Sequence, residues 1–142
     1  ALLDSQVGVL TVLGRDVVHL ELLLKHLRQQ HSEQNLYGAL LDTPEARDSL
    51  TRADIVVNTT SVGLKPGDET RLIEVEALPT SALVMDMIFN PPLTPLLRDA
   101  QTHGCAVLNG LSMLLYQGTL ALELWTGQSA PEDVMRAALG LE

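Results

Sequence analysis

ADIVVNTTSVG, at residues 53–63, is the stretch that decides the fold, because an apolar β-branched run passes directly into a polar turn. Ile55, Val56 and Val57 follow one another without a polar residue between them, which is typical of a strand buried on both faces of a parallel sheet. Ligands of such sheets bind beyond the carboxyl ends of the strands. The stretch therefore predicts a fully buried strand that runs into a candidate binding turn.

Two strands and two helices are predicted upstream of this stretch. The run VGVLTVL at residues 7–13 predicts a strand that ends at Gly14. Residues 36–41 predict a second strand, and Thr43-Pro44 predicts the capped start of a short helix through Thr51. Between the two strands, apolar residues with helical spacing predict a helix: Val17, Leu20, Leu24 and Leu27.

The downstream half continues the alternation of strands and helices. Residues 82–88 (ALVMDMI) and 106–108 predict strands, separated by a helix that begins at Thr94-Pro95 and ends at Gly104. After the turn Asn109-Gly110, a long helix is predicted over residues 111–126, and Ser129 to Glu132 predict a capping box for a last helix. The long helix is expected to have one apolar face, formed by Leu111, Leu114, Leu115, Leu122 and Trp125.

This order of elements predicts the α/β class with a doubly wound parallel sheet, because strands that alternate with helices are joined by parallel crossovers. We expect a single domain over residues 1–142, since no repeat or flexible linker divides the chain. The candidate site comprises the turns that follow the strands, at Gly14, 58–63, 87–92 and 109–110. The chain begins with Ala1 rather than Met, so we expect it to be part of a longer polypeptide.

Composition excludes several classes of function. The formal charge of -9 and the pI of about 4.7 make nonspecific nucleic-acid binding unfavourable. The chain has one cysteine, Cys105, which excludes an internal disulfide and a zinc site made of cysteines. This cysteine content fits a protein of the reducing cytoplasm. No metal site is expected from the histidines. The most apolar stretch, residues 111–125, is interrupted by Gln117 and Glu123 and is too short to cross a membrane.

The first turn, Gly14-Arg15-Asp16, lacks the three glycines with which dinucleotide-binding folds approach a pyrophosphate. Gly14 and Arg15 are the candidate phosphate-binding residues there, because a guanidinium can pair with phosphate. Asp16 is interpreted as the cap of the following helix. The turn therefore predicts weak dinucleotide binding.

Three motifs, in this order, resemble the C-terminal nicotinamide-cofactor domain of the shikimate/quinate dehydrogenase family. They are residues 53–64, residues 85–97 (MDMIFNPPLTPLL) and residues 109–118 (NGLSMLLYQG), the last continuing to 123–127 (ELWTG). The resemblance implies a Rossmann-like sheet, shortened in its first half, that binds NADP or NAD. It further implies that the chain belongs to a longer oxidoreductase of aromatic amino-acid biosynthesis, whose N-terminal substrate domain the chain lacks.

The same resemblance implies roles for individual residues. Gly110 matches the glycine whose backbone meets the nicotinamide carboxamide, and Met87 matches the residue that packs near the nicotinamide ring. Gln117 matches the glutamine that bonds a hydroxyl of the polyol substrate, and Phe89 stands on the substrate side where the family usually has a tyrosine. Taken from the residues alone, Met87 is interpreted as a core residue and Gln117 as an interior or interface amide rather than a ligand contact. Together with Gly14 and Arg15 of the first turn, the candidate cofactor-binding residues are Asn58, Thr59, Thr60, Ser61, Met87 and Gly110.

Cofactor choice and catalysis depend on departures from the family pattern. The basic Asn-Arg-Thr turn that receives a 2′-phosphate has no counterpart, and the nearest residue, Asp42, either favours NAD or caps a helix. No catalytic residue is expected, since Lys25 and Lys65 lie outside the motif of the family's catalytic lysine. The 142-residue chain alone is therefore expected to be inactive. The alternative function is a non-catalytic Rossmann-like scaffold or sensor module.

Overall fold

The computed structural model describes residues 2–5, 7–32, 35–65 and 67–141, and it divides into two compact units. Unit 1 is Ala1–Ala53 and unit 2 is Asp54–Glu142. Every strand pairing within the described ranges is parallel, which confirms the α/β class, although the sheets are short. In the same ranges, no helix has both the length and the apolarity needed to cross a membrane. A single domain over residues 1–142 stays a prediction.

Unit 1 is a parallel strand pair with two helices. Its core contains Leu20, Leu24 and Leu36. Gly38 lies in the second strand. A Cβ added at this position would overlap the Leu24 side chain, so glycine allows the first helix to pack closely on the sheet. The elements are β1 (Val9–Gly14), α1 (Val17–Gln30), β2 (Asn35–Leu40) and α2 (Pro44–Leu50).

Both helices of unit 1 begin at side-chain caps. The Asp16 carboxylate accepts a hydrogen bond from the His19 N–H at 2.9 Å, and this bond holds the pKa of Asp16 below its ordinary value. The Thr43 hydroxyl accepts from the Ala46 N–H at 3.3 Å and donates to the Leu40 carbonyl at 2.8 Å. The predicted caps Asp16 and Thr43 are confirmed, and the capping alternative for Asp42 is wrong, because Thr43 performs that task.

Unit 2 contains a three-stranded parallel sheet in the order β3 (Ile55–Asn58), β4 (Leu83–Asp86) and β5 (Ala106–Leu108), with β4 in the centre. The helix that Thr94 caps packs on β4 and β5, and it ends at Gly104, whose left-handed backbone was expected at a helix end. The elements are β3 (Ile55–Asn58), a 3₁₀ helix (Val75–Ala77), β4 (Leu83–Asp86), α3 (Pro95–His103), β5 (Ala106–Leu108), α4 (Leu111–Thr126) and α5 (Glu132–Ala138).

Three local predictions for unit 2 are wrong. The strand β3 is not fully buried, because Ile55 at its amino end is 57% exposed. Trp125 is not on a packed face of α4 but 80% exposed, since α4 packs mainly on α5 and buries Leu115 instead. The capping box before α5 does not form: no side chain caps α5, and the Glu123 carboxylate instead accepts from the Ala130 N–H at 3.0 Å.

The cap assignment in unit 1 makes a prediction about stability. Replacing Thr43→Ala removes the acceptor for the Ala46 N–H and should cost about 1 kcal/mol of unfolding free energy. Asp42→Asn, one residue earlier, should change it by less than about 0.5 kcal/mol, because Asp42 is exposed and does not cap α2. Urea unfolding followed by circular dichroism measures both values, and a larger loss in Asp42→Asn than in Thr43→Ala would contradict the assignment.

Candidate functional site

A buried carboxylate organises the carboxyl end of the unit 2 sheet. Asp86, the last residue of β4, has no exposed surface. Its Oδ2 accepts hydrogen bonds from Asn58 Nδ2 at 3.0 Å and from Thr94 Oγ1 at 2.8 Å, and its Oδ1 accepts from the Ile88 N–H at 3.0 Å. A buried charge is tolerated only when donors surround it in this way. The three bonds fasten the end of β3, the turn after β4 and the start of α3 to one side chain.

Asn58 shapes the turn that follows β3. Its Oδ1 accepts from the Thr60 N–H at 2.9 Å and from the Thr60 hydroxyl at 2.8 Å, while its Nδ2 bonds the Val62 carbonyl at 3.3 Å as well as Asp86. The side chain is 2% exposed, so its amide is engaged inside the protein. Asn58 therefore positions the turn. Its own contact with a cofactor stays a prediction.

The hydroxyls of Thr59 and Ser61 are the groups that this turn presents outward. Both residues are exposed, and neither side chain has a hydrogen-bond partner among residues 2–5, 7–32, 35–65 and 67–141. Thr60, between them, uses its hydroxyl to bond Asn58 and the Val62 N–H. Of the predicted turn residues, Thr59 and Ser61 thus have free hydrogen-bonding capacity for a ligand.

The turn after β5 lies directly against the turn after β4. The Gly110 N–H donates to the Ile88 carbonyl at 3.0 Å, and a Cβ added to Gly110 would overlap the carbonyl oxygen of Met87. Only glycine fits this contact. The Gly110 carbonyl accepts from the Leu114 N–H at 3.0 Å and keeps a second lone pair.

Met87 and the predicted turn residues meet at one edge of the sheet. The Met87 N–H donates to the Asn58 carbonyl at 3.1 Å, which joins the turns after β3 and β4. The Met87 side chain is 37% exposed, so Met87 is not the core residue that its strand position alone suggested. Asn58 to Ser61, Met87 and Gly110 are therefore brought together, whereas Gly14 and Arg15 lie in unit 1.

The two predicted substrate-side residues are both accessible. Phe89 is 46% exposed in the turn after β4. Gln117 is exposed on α4, and its Nε2 donates to the Leu114 carbonyl of the same helix at 3.0 Å. The Gln117 amide therefore makes a bond within its own helix, and its contact with a substrate stays a prediction.

The first turn presents a guanidinium rather than a glycine cradle. The Gly14 carbonyl accepts from the Leu41 N–H at 2.9 Å, and a Cβ added to Gly14 would meet only ordinary contacts, the nearest to Leu20 Cβ at 3.5 Å. Gly14 is therefore not a sterically required glycine. Arg15 is exposed beside it.

Residues 110–139 match the family model of the shikimate 5'-dehydrogenase C-terminal domain. The chain is 39% identical over 133 residues to a shikimate dehydrogenase (NADP(+)) of Symbiobacterium thermophilum, and the match covers 93% of the chain. Quinate dehydrogenase from Corynebacterium glutamicum, solved in complex with NAD, has a TM-score of 0.84 at 28% identity over 96% of the chain. The chain belongs to the shikimate/quinate dehydrogenase family.

The chain spans less than half the length of these family members. It covers 45% of the Symbiobacterium thermophilum protein and 48% of the Corynebacterium glutamicum chain. A shikimate dehydrogenase (NADP(+)) of Methanococcus aeolicus, 35% identical over 92% of the chain, is likewise covered to 46%. The segment that matches the family model begins at Gly110 and includes Gln117.

Sequence reasoning missed Asp86 and the second role of Thr94. Thr94 was recognised only as a helix cap, although its hydroxyl also donates to the Asp86 carboxylate at 2.8 Å. The signal for Asp86 was present, because a charged residue interrupts the apolar run ALVMDMI in a strand. An acidic residue inside a buried strand requires donors, and in this family member they come from the ends of other elements.

The Asp86 contacts predict a specific loss of stability. In Asp86→Asn an amide NH₂ replaces one acceptor oxygen, so a buried donor faces another donor, and unfolding free energy should fall by about 2–3 kcal/mol. Asp54→Asn is the matched control, because Asp54 is exposed in the same unit, and it should cost less than about 0.5 kcal/mol. Urea unfolding measures both variants, and equal midpoints would show that the Asp86 carboxylate does not hold the turns together.

The glycine contacts predict opposite results for two alanine substitutions. Gly110→Ala must displace the Met87 backbone and should cost about 1–3 kcal/mol. Gly14→Ala meets no close contact and needs no left-handed backbone, so it should leave the melting temperature unchanged or raise it slightly. Thermal unfolding followed by circular dichroism compares the two, and tolerance of alanine at position 110 would argue against the tight turn.

Proposed function

We propose that the chain is the NAD(P)-binding domain of a shikimate dehydrogenase-type oxidoreductase. The reaction interconverts the secondary alcohol of shikimate and the ketone of 3-dehydroshikimate, a step of aromatic amino-acid biosynthesis. The observation that carries the proposal is the contact of Gly110 with the Met87 carbonyl, which brings the turns after β4 and β5 together at the carboxyl edge of the sheet. This edge is where α/β folds bind nucleotide cofactors.

The residues at this edge fit a nicotinamide. The exposed Met87 thioether offers a polarizable apolar surface to a flat ring. The second lone pair of the Gly110 carbonyl can accept from a carboxamide NH₂, and the Thr59 and Ser61 hydroxyls can donate or accept. The nicotinamide, when bound, supplies or accepts the hydride. The part of the protein described here holds and orients that ring.

The pyrophosphate is expected to be held weakly. In unit 1, Arg15 can pair with phosphate, but the glycine-rich run of backbone N–H donors is missing. The His19 N–H, in the first turn of α1, is already bonded to the Asp16 carboxylate. Phosphate binding by unit 1 therefore depends on Arg15.

We propose that the lobe making up the rest of the relatives' length covers an apolar stripe on α4. The stripe consists of exposed residues at helical spacing, namely Met113, Tyr116, Leu120 and Leu124, with Trp125 beside them. The relatives are more than twice as long as the segment matched here, which supplies an occupant of the required size. Tyr116 is held by Arg136 of α5, whose Nη2 donates to its hydroxyl at 3.2 Å.

That lobe would carry the proton-transfer groups. Lys25 and Lys65 are both exposed, and both lie outside the three motifs that resemble the family. Gln117, next to the apolar stripe, would turn its amide from the Leu114 carbonyl toward a substrate hydroxyl, and Phe89 would add an apolar ring without a hydroxyl. The alternative of a non-catalytic scaffold is not favoured, because the edge formed by Met87 and Gly110 keeps groups that fit a nicotinamide.

Fusing the first half of the Symbiobacterium thermophilum shikimate dehydrogenase to the chain tests this function. Shikimate-dependent reduction of NAD or NADP should occur in the fusion and not in the 142-residue chain alone, because one lobe cannot enclose substrate or transfer its proton. Within the fusion, Gln117→Ala should lower kcat/KM for shikimate by at least about tenfold and leave the Kd of NADH unchanged. Gln128→Ala, an exposed glutamine beyond α4, is the control.

Two results would contradict this function. Turnover by the chain without the fused lobe would place the proton-transfer groups within residues 1–142. A Gln117→Ala variant that lost NADH affinity but kept its kcat/KM for shikimate would move Gln117 to the cofactor side.

A further inference from the structure

The turn after β2 carries a carboxylate that has no structural task. Asp42 lies two residues beyond Leu40, the end of β2, and is exposed. Within the part of the chain that the structure describes, its side chain makes no hydrogen bond or ion pair. The two tasks available nearby, capping α2 and closing the turn onto the Leu40 carbonyl, are both performed by Thr43.

The backbone of unit 1 fixes where this carboxylate lies. Gly14 and Leu40 are partners in the parallel register of β1 and β2, and the Leu41 N–H extends the pairing by donating to the Gly14 carbonyl at 2.9 Å. Asp42 therefore comes immediately after the carboxyl end of the second strand of a strand-helix-strand unit. In dinucleotide-binding units an acidic residue at this place accepts hydrogen bonds from the adenosine ribose hydroxyls.

The charges around this turn disfavour a phosphate. Glu45, in the first turn of α2, is a second exposed carboxylate close to Asp42 in the chain. No basic residue follows β2 until Arg47, in the last turn of α2. Arg15 follows β1, the strand whose turn faces the pyrophosphate in such units, rather than β2. A 2′-phosphate carries between one and two negative charges at neutral pH, by analogy with phosphoserine, so it would meet like charge here.

We propose that Asp42 makes this chain select NAD over NADP. Its carboxylate accepts hydrogen bonds from the ribose hydroxyls of NAD and repels the 2′-phosphate of NADP. The proposal rests on the proposed dinucleotide-binding function, and it separates this chain from relatives whose names specify NADP(+). The proposed cofactor, NAD, is the one with which the Corynebacterium glutamicum quinate dehydrogenase was solved.

Isothermal titration of the 142-residue chain with NAD and with NADP tests the selection without requiring turnover. NAD should bind at least about tenfold more tightly than NADP. Asp42→Asn keeps the size of the side chain and a hydrogen-bond acceptor while removing the charge, so NADP should bind about 3–10-fold more tightly and the preference should shrink. Asp133→Asn makes the same change in net charge on α5 in unit 2, and it should leave the preference unchanged.

Thermal unfolding of each variant establishes that it is folded before titration. The inference is overturned if the unaltered chain binds NADP as tightly as NAD, if Asp42→Asn keeps the original preference, or if Asp133→Asn shifts it equally. It is also overturned if Arg15→Ala weakens NADP alone, because Arg15 would then receive the 2′-phosphate. Binding of NAD without discrimination rejects this inference and leaves the proposed function standing, whereas failure to bind either dinucleotide rejects both.

Discussion

The buried carboxylate of Asp86 is the constraint on which the functional edge of unit 2 depends. It ends β4, and its two oxygens accept from Asn58, Thr94 and the Ile88 N–H. Because a charge away from solvent must be surrounded by donors, these three groups are held where they can donate to the carboxylate. The turn after β3 and the start of α3 are thereby set relative to the central strand. The positions of the exposed Thr59 and Ser61 hydroxyls depend on this arrangement, because both residues belong to the turn after β3.

A steric constraint fixes the third turn of this edge, to which the Asp86 carboxylate makes none of its three hydrogen bonds. Gly110 lies so close to the Met87 carbonyl that no side chain fits between them, which sets the turn after β5 against the turn after β4. The resulting edge is made of backbone groups, short hydroxyls and one thioether. Such a surface suits a flat, weakly polar ring better than an ion or a strongly charged group.

The two units differ in the kind of group that each offers to a nucleotide. Unit 2 contains the three motifs that resemble the family, and the carboxyl edge of its sheet presents uncharged groups to a ligand. Unit 1 departs from the family at both of its turns, where Arg15 replaces a glycine cradle and Asp42 stands in place of a basic turn. The proposed choice between NAD and NADP therefore rests on charge in unit 1, and the proposed binding of a nicotinamide rests on packing in unit 2.

Short-range interactions are the part of this protein that the amino-acid sequence determined by itself. The starts of α1, α2 and α3 were predictable from Asp16, Thr43 and Thr94, because each caps an N–H only three residues away. The capping box at Ser129 failed because Glu123, from the preceding helix, bonds the Ala130 N–H just before α5. A contact from another element replaced the one that spacing predicted.

Long-range contacts were decided only by the tertiary structure. Asp86 lies 28 residues from Asn58 in the chain, so no local pattern links the carboxylate to its donor. No local pattern links Gly110 to the Met87 carbonyl either, although the two are in close contact. In α4, the sequence does not distinguish the apolar residues Leu115 and Trp125, yet Leu115 is buried and Trp125 is exposed. Sequence patterns record the periodicity of a helix or strand, but which face is covered depends on what packs against it.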